Sequence, residues 1–215
     1  MNVLHVCANP LPTEEAVAKH LAAKFFTTLV GMSPDVEMVN VDLYTDQPPF
    51  YSYEEYRNFW YPALIEGYTP TKDEQTSASY AVQQGRMFNE ADALVITTTV
   101  FNFGVPAVLK SWLEHVLNPG NGFYFQEGNI KPAHKIKKLV LLVDSLEAFK
   151  EADPRDTLTQ QIFAAFNEVG IDDIGVAWAD GQNTVLYRDF ENRKEMALEA
   201  AEELAEEVAE IGATA

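Results

Sequence analysis

From Val100 to Pro106 the chain reads VFNFGVP, two phenylalanines around one asparagine, closed by a glycine. Phe101 and Phe103 can face a planar ring, and the backbone N–H groups of such a turn can donate to the heteroatoms of that ring. The flanking residues say where the turn lies. Ala93–Thr98 is a continuous apolar and β-branched run, the mark of a strand buried on both faces. Pro106 opens a helix at a first-turn position, where a missing N–H costs nothing. Val105, Val108/Leu109, Trp112/Leu113 and Val116/Leu117 then recur at helical spacing. A turn between the carboxyl end of a buried strand and a helix is where open α/β sheets bind ligands.

Other residues able to do chemistry are scattered. His5, His20, His115 and His134 lack metal-ligand spacing with Cys or carboxylates, so no metal is expected. His5 is read as a strand-face residue and His115 as a helix-surface residue. Cys7 ends the first strand as a small buried hydrophobe; a nucleophile there needs a base that the sequence does not supply. Asp144 and Glu147 sit together past another strand, either as an acid–base or metal-binding pair or as a polar loop without function. There is no Walker-type phosphate loop and no dinucleotide glycine fingerprint.

These residues need a scaffold, and the periodicity supplies one. Strands are expected at Asn2–Cys7, Val36–Asp42, Ala93–Thr98, Leu139–Asp144 and Ile174–Ala179. Helices are expected near Glu14–Val30, Asp73–Asn89, Pro106–Leu117, Thr157–Val169 and Phe190–Ile211. Such alternation implies an α/β fold, a doubly wound parallel sheet of five strands with helices on both faces. The last helix is expected to bury a seam of Met196, Ala200, Leu204, Val208 and Ile211. One domain is expected over 1–215, with an aromatic-rich insertion over about 44–72. Residues 50–68 of that insertion hold eight aromatics in nineteen positions. They suit a lid on a flat-substrate pocket or a subunit interface, and the two are compatible.

Composition narrows the class. The chain has 215 residues, 15 Lys+Arg and 33 Asp+Glu, a net charge of −18. So acidic a surface argues against nucleic acid and anionic membranes as partners. Salt adaptation would account for it too. A single cysteine excludes an internal disulfide and fits a cytoplasmic protein. The N-terminus enters a strand at once, so no signal peptide is expected, and no apolar run approaches the ~20 residues of a membrane span.

The pattern Val100-Phe101-Asn102-Phe103-Gly104-Val105-Pro106-Ala107, with Leu109-Lys110 and Trp112, resembles the FMN-dependent NAD(P)H azoreductase and quinone reductase family. The resemblance extends to the first strand and its loop, Asp73-Glu74-Gln75, Gly120, Phe123, Phe125 and Lys137-Lys138. It implies a flavodoxin-like fold with strand order 2-1-3-4-5. It also implies FMN as cofactor, NADH or NADPH as a transient reductant, a planar small-molecule acceptor such as a quinone or azo compound, and a homodimer. By resemblance Val100, Phe101, Asn102, Phe103 and Gly104 hold the flavin ring, and Trp60, Phe123 and Phe125 line the substrate side. Asn102 and Phe125 are the catalytic candidates. Asn9, Ala16 and Ala18 fall on the phosphate loop, and Asp144 and Ser145 on the loop at the ring's pyrimidine edge.

The last two loops depart from the family. Thr99 stands where a proline is usual. Ala16 and Ala18 stand where the family has Ser-x-Ser, and two lost hydrogen bonds to a charged phosphate are worth roughly 1.5–3 kcal/mol each. Glu14 and Glu15 lie beside the same spot, with Thr13 or Asn9 as substitute donors. Asp144-Ser145-Leu146-Glu147 replaces Ser-Arg-Gly-Gly, exchanging close-approach glycines for side chains. These departures motivate a second expectation: a flavin-free relative whose pocket serves another small-molecule reaction or binds a ligand. An acidic interaction protein without a catalytic site is a third, and it leaves the Phe-Asn-Phe-Gly turn unexplained.

Overall fold

The computed structural model describes residues 1–213; the last two positions of the expected domain lie outside the described residues. In chain order the elements are β1 (Asn2–Ala8), α1 (Val17–Met32), β2 (Glu37–Asp42), α2 (Tyr53–Leu64), α3 (Lys72–Ser77), α4 (Ser79–Glu90) and β3 (Ala93–Thr99). There follow α5 (Ala107–Val116), β4 (Phe123–Gln126), β5 (Asn129–Pro132), β6 (Lys138–Asp144), α6 (Thr157–Glu168), β7 (Ile174–Ala179) and α7 (Phe190–Ala213).

Five strands form one sheet in the order β2-β1-β3-β6-β7, every pair parallel. Counting only those strands, the order is 2-1-3-4-5. All seven residues of β3 and of β6 are buried, the apolar runs Ala93–Ile96 and Leu139–Val143 together with the polar Thr97–Thr99, Lys138 and Asp144 at their ends. Alternation along the strands divides the core. Val3, Val95, Val140 and Leu142 pack with Leu21, Phe25, Leu29 and Val208 of α1 and α7. Leu4, Leu94, Ile96 and Leu141 pack on the other face with Phe88, Leu109, Trp112 and Phe166 of α4, α5 and α6. The register sets Ala8 beside Thr98, Thr99 beside Asp144, and Asp144 beside Ala179, so the strands end together on one edge.

Several expectations need correction. Helix α1 starts at Val17 rather than Glu14, because the Glu15 and Ala16 N–H groups turn back to the Pro12 carbonyl. The helix expected over 73–89 is two, divided at Ala78. Within the aromatic segment, Ser52 accepts from the Glu55 N–H and starts α2, where no helix was expected. Phe123–Gln126 pairs with Asn129–Pro132 as a hairpin, its turn made by Glu127 and Gly128 at positive φ. The buried seam of α7 is Ala197, Ala201, Leu204, Ala205, Val208 and Ala209, leaving Met196 exposed. His115 is not on a helix surface. Its ring is fully buried, between Glu55 Oε1 at 2.5 Å and the Pro49 carbonyl at 2.8 Å. His5 does lie on a strand face, bonded to Asn40 and Thr97.

Candidate functional site

A cavity of about 650 Å³ opens at the carboxyl ends of β3 and β6. One wall is the turn that follows β3. Asn102 and Phe103 have φ of 50° and 68°, and Phe101 and Gly104 bond reciprocally across them at 3.1 and 3.0 Å. Two successive positive φ values define a type I′-like turn, strained for a non-glycine residue and especially for phenylalanine. Tertiary contacts hold it there. Thr157, at the start of α6, donates its N–H and Oγ1 to the Phe103 carbonyl at 3.1 and 2.7 Å. The Arg155 guanidinium lies over the Phe103 and Phe149 rings. Among the described residues, the Asn102 and Phe103 N–H groups make no backbone hydrogen bond. Both phenylalanine rings of the turn are partly exposed, 43% for Phe101 and 42% for Phe103.

The opposite wall is 144–149, the loop after β6. Ser145 Oγ accepts from the Trp178 indole at 2.9 Å and donates to the Glu147 carbonyl. Glu147 accepts from the Tyr187 hydroxyl at 3.2 Å, and Leu146 stands 66% exposed at the mouth. Asp144 behaves differently. Its carboxylate is turned under α1, where Oδ2 accepts from the Ala18 N–H at 2.8 Å and from Asn9 Nδ2 at 3.5 Å. Asp144 is buried, as are Asn9, Ala16 and Ala18. Burial pushes its carboxyl pKa above the ordinary 3.8; hydrogen bonds from Ala18, Thr99, Asn9 and Val17 oppose that shift. Ala16, the residue before α1, offers no side-chain cap, so Asp144 satisfies an orphan N–H from across the sheet.

The lining charges are unbalanced. Glu15, Asp144, Glu147 and Glu191 are among the cavity's lining residues, with Lys194 as the one cation. Thr13 is exposed outside the cavity. Asn9 is engaged with Asp144 and with the Leu11 N–H. Cys7 is buried, which pushes its thiol pKa up and away from a nucleophilic thiolate.

The structure brings Val100, Phe101, Asn102, Phe103, Asp144 and Ser145 together around the cavity. Gly104 closes the turn behind them. Trp60, Phe123 and Phe125 form a separate aromatic cluster outside the lining, with ring centroids 6.2 and 5.6 Å apart in sequence along it. Leu11, Val17, Phe149, Gln182, Phe190 and Lys194 line the cavity and were not anticipated. Phe149 had a signal, an aromatic shortly after a strand end. The residues beyond β7 had none. No group of three His, Cys, Asp or Glu among the described residues is placed to hold a metal. No described helix is long and apolar enough to cross a membrane.

A family model described as the flavodoxin-like fold matches residues 1–205. The chain belongs to the flavodoxin-like fold family. Within it, an FMN-dependent NADH:quinone oxidoreductase of Coprothermobacter proteolyticus is 26% identical over 208 residues, 95% of this chain and 98% of the relative. The crystal structure of azoreductase AzrA superposes with a TM-score of 0.84 at 22% identity, covering 95% of this chain and 99% of that one. An FMN-dependent NADH-azoreductase from Bacillus anthracis str. Ames Ancestor, in complex with FMN, gives 0.81 at 20% identity over 97% and 99% of the two chains. At these identities the solved structures establish likeness of fold. Flavodoxin-like sheets bind at the edge where β1 and β3 diverge to opposite sides, and the cavity lies at that edge.

Proposed function

We propose that this chain is an FMN-dependent NAD(P)H oxidoreductase that reduces quinones, azo compounds or similar flat acceptors. The observation that carries the reading is the strained turn at 101–104. Its Asn102 and Phe103, whose N–H groups make no backbone hydrogen bond, line a cavity large enough for a three-ring system. The likeness to an NADH:quinone oxidoreductase along nearly the whole chain supports the same activity.

In this reading Val100, Phe101, Asn102 and Phe103 seat the ring, and Ser145 and Phe149 face it from the other wall. Flavin bound there supplies two-electron transfer between a reduced nicotinamide and the acceptor. The chain's own part is to hold the ring, orient its polar edge on main-chain donors and exclude water with Phe101, Phe103 and Phe149. Asn102 and Phe125 remain the candidates for contact with reacting groups. Trp60, Phe123 and Phe125 meet the acceptor only across a subunit boundary. We therefore propose a cytoplasmic homodimer of single-domain chains (1–215), joined through Phe50, Tyr53 and Tyr124, which are 91%, 60% and 46% exposed.

The ring end of the cavity fits a flavin; the α1 end, with Asp144 already on its amides, does not fit a phosphate. That observation also favours a second reading, a flavin-free pocket for a neutral or cationic flat ligand. Titration with FMN and with riboflavin, followed by flavin fluorescence, separates the two. Quenching, with flavin-dependent NADH oxidation in the presence of a quinone, is expected. A protein that quenches neither flavin overturns the oxidoreductase reading.

A further inference from the structure

We propose that Asp144 sets the charge selectivity of this cavity, so that the chain binds a phosphate-free flavin at least as tightly as FMN. The proposal rests on the flavin reading above and concerns which flavin the site takes. A helix N-terminus is an anion site because its first N–H groups lack partners. In α1 that site is taken: the Ala18 N–H donates to Asp144 Oδ2 at 2.8 Å. The carboxylate cannot move off easily. It belongs to β6, paired on both sides with Thr99 and Ala179, and only 6% of the residue is exposed. Ala16 and Ala18 are fully buried and carry no hydroxyl to receive a displaced anion. Glu15 stands before the same helix and lines the cavity.

A phosphate arriving at α1 therefore meets a carboxylate instead of donors. Two unit charges ~4 Å apart at an effective dielectric near 20 repel by the equivalent of about 10³ in dissociation constant, and solvent at the mouth reduces this. A ribityl chain that ends in a hydroxyl can donate to the same carboxylate. The ring contacts are common to both flavins and cancel in the comparison.

The test is a fluorescence titration of FMN and riboflavin into the wild type, Asp144→Asn and Asp144→Ser, with thermal melts to verify folding. The wild type is expected to bind riboflavin as tightly as FMN or more so. Asp144→Asn is expected to tighten FMN by roughly tenfold or more while riboflavin moves by less than about threefold. A wild type that prefers FMN by about tenfold overturns the inference and leaves the flavin reading standing, and so does a ratio unmoved by either substitution. Binding of neither flavin to any of the three overturns both. Should a variant fail to fold, the wild-type preference alone still decides.

Discussion

Replacing His115 by alanine tests how the aromatic segment is fastened to the sheet. His115 sits on α5 with its ring fully buried, and Glu55 of α2 is 1% exposed beside it. The Pro49 carbonyl can only accept, so His115 Nε2 carries a proton. One further proton lies between Nδ1 and Glu55 Oε1, 2.5 Å apart, and on either atom it leaves the pair neutral overall. Alanine removes that compensation and strands a buried carboxyl, which costs about 3–5 kcal/mol. The lost imidazole also packs against Tyr51 and Tyr80, at 5.6 and 4.8 Å between centroids. Against a total stability of about 5–15 kcal/mol this is a large fraction. Urea unfolding measures it: with a slope of about 1–3 kcal/mol/M, the midpoint should fall by roughly 1 M or more. Adding Glu55→Gln should recover part of the loss, because the double variant no longer buries an ionisable group without its partner. A His115→Ala loss under about 1 kcal/mol refutes the reasoning. So does a double variant whose loss equals the sum of the singles.

Two further outcomes follow from the same region. A Cβ at Gly85 would lie 2.4 Å from Asn121 Cγ, and Asn121 is held by its bonds to the Ala81 and His115 carbonyls. Gly85→Ala should therefore lower stability by about 1–3 kcal/mol, although alanine is the better helix former; a raised melting temperature would contradict this. The Glu74 carboxyl is held down to about 2 by the Thr71 N–H, Tyr68 and Arg57. Its folded pKa lies below its unfolded one, so its contribution is complete above about pH 4.5 and is lost as pH falls toward about 2. Glu74→Gln should flatten the stability–pH curve in that window, read by melts across pH; an unchanged slope would count against it.

The sheet was legible because its signals are local. β3 and β6 carry unbroken apolar runs at Ala93–Ile96 and Leu139–Val143, and burial on both faces leaves such runs little alternative. Helix α7 was legible as an element and in part of its facing: Leu204 and Val208 of the expected seam are buried, whereas Met196 is exposed and Ala197, Ala201, Ala205 and Ala209 take the rest. The shared part is fixed by close packing, Leu204 lying against Gly175 where a Cβ would meet it at 2.2 Å. His115 was misplaced for a different reason. Its burial depends on Glu55, sixty residues earlier, on a helix whose pattern of aromatics carries no clean period. No local window contains that pairing.

The candidate site divides the same way. The turn at 101–104 announces itself through a strand before it and a proline after it. Asp144 was seen at a strand end, but a carboxylate there reads alike whether it faces water or reaches across the sheet. Its partner amide at Ala18 is 126 residues away. In sequence, the missing hydroxyls at 16 and 18 and the acid at 144 are two separate departures from one family pattern. In the fold they are one change. A helix start without a polar cap leaves N–H groups that must be satisfied, and an acceptor on the neighbouring strand satisfies them. Each substitution makes the other tolerable. Restoring serines at 16 and 18 by themselves would point new hydroxyls at a carboxylate already in place, and the anion site would stay closed until residue 144 changed as well.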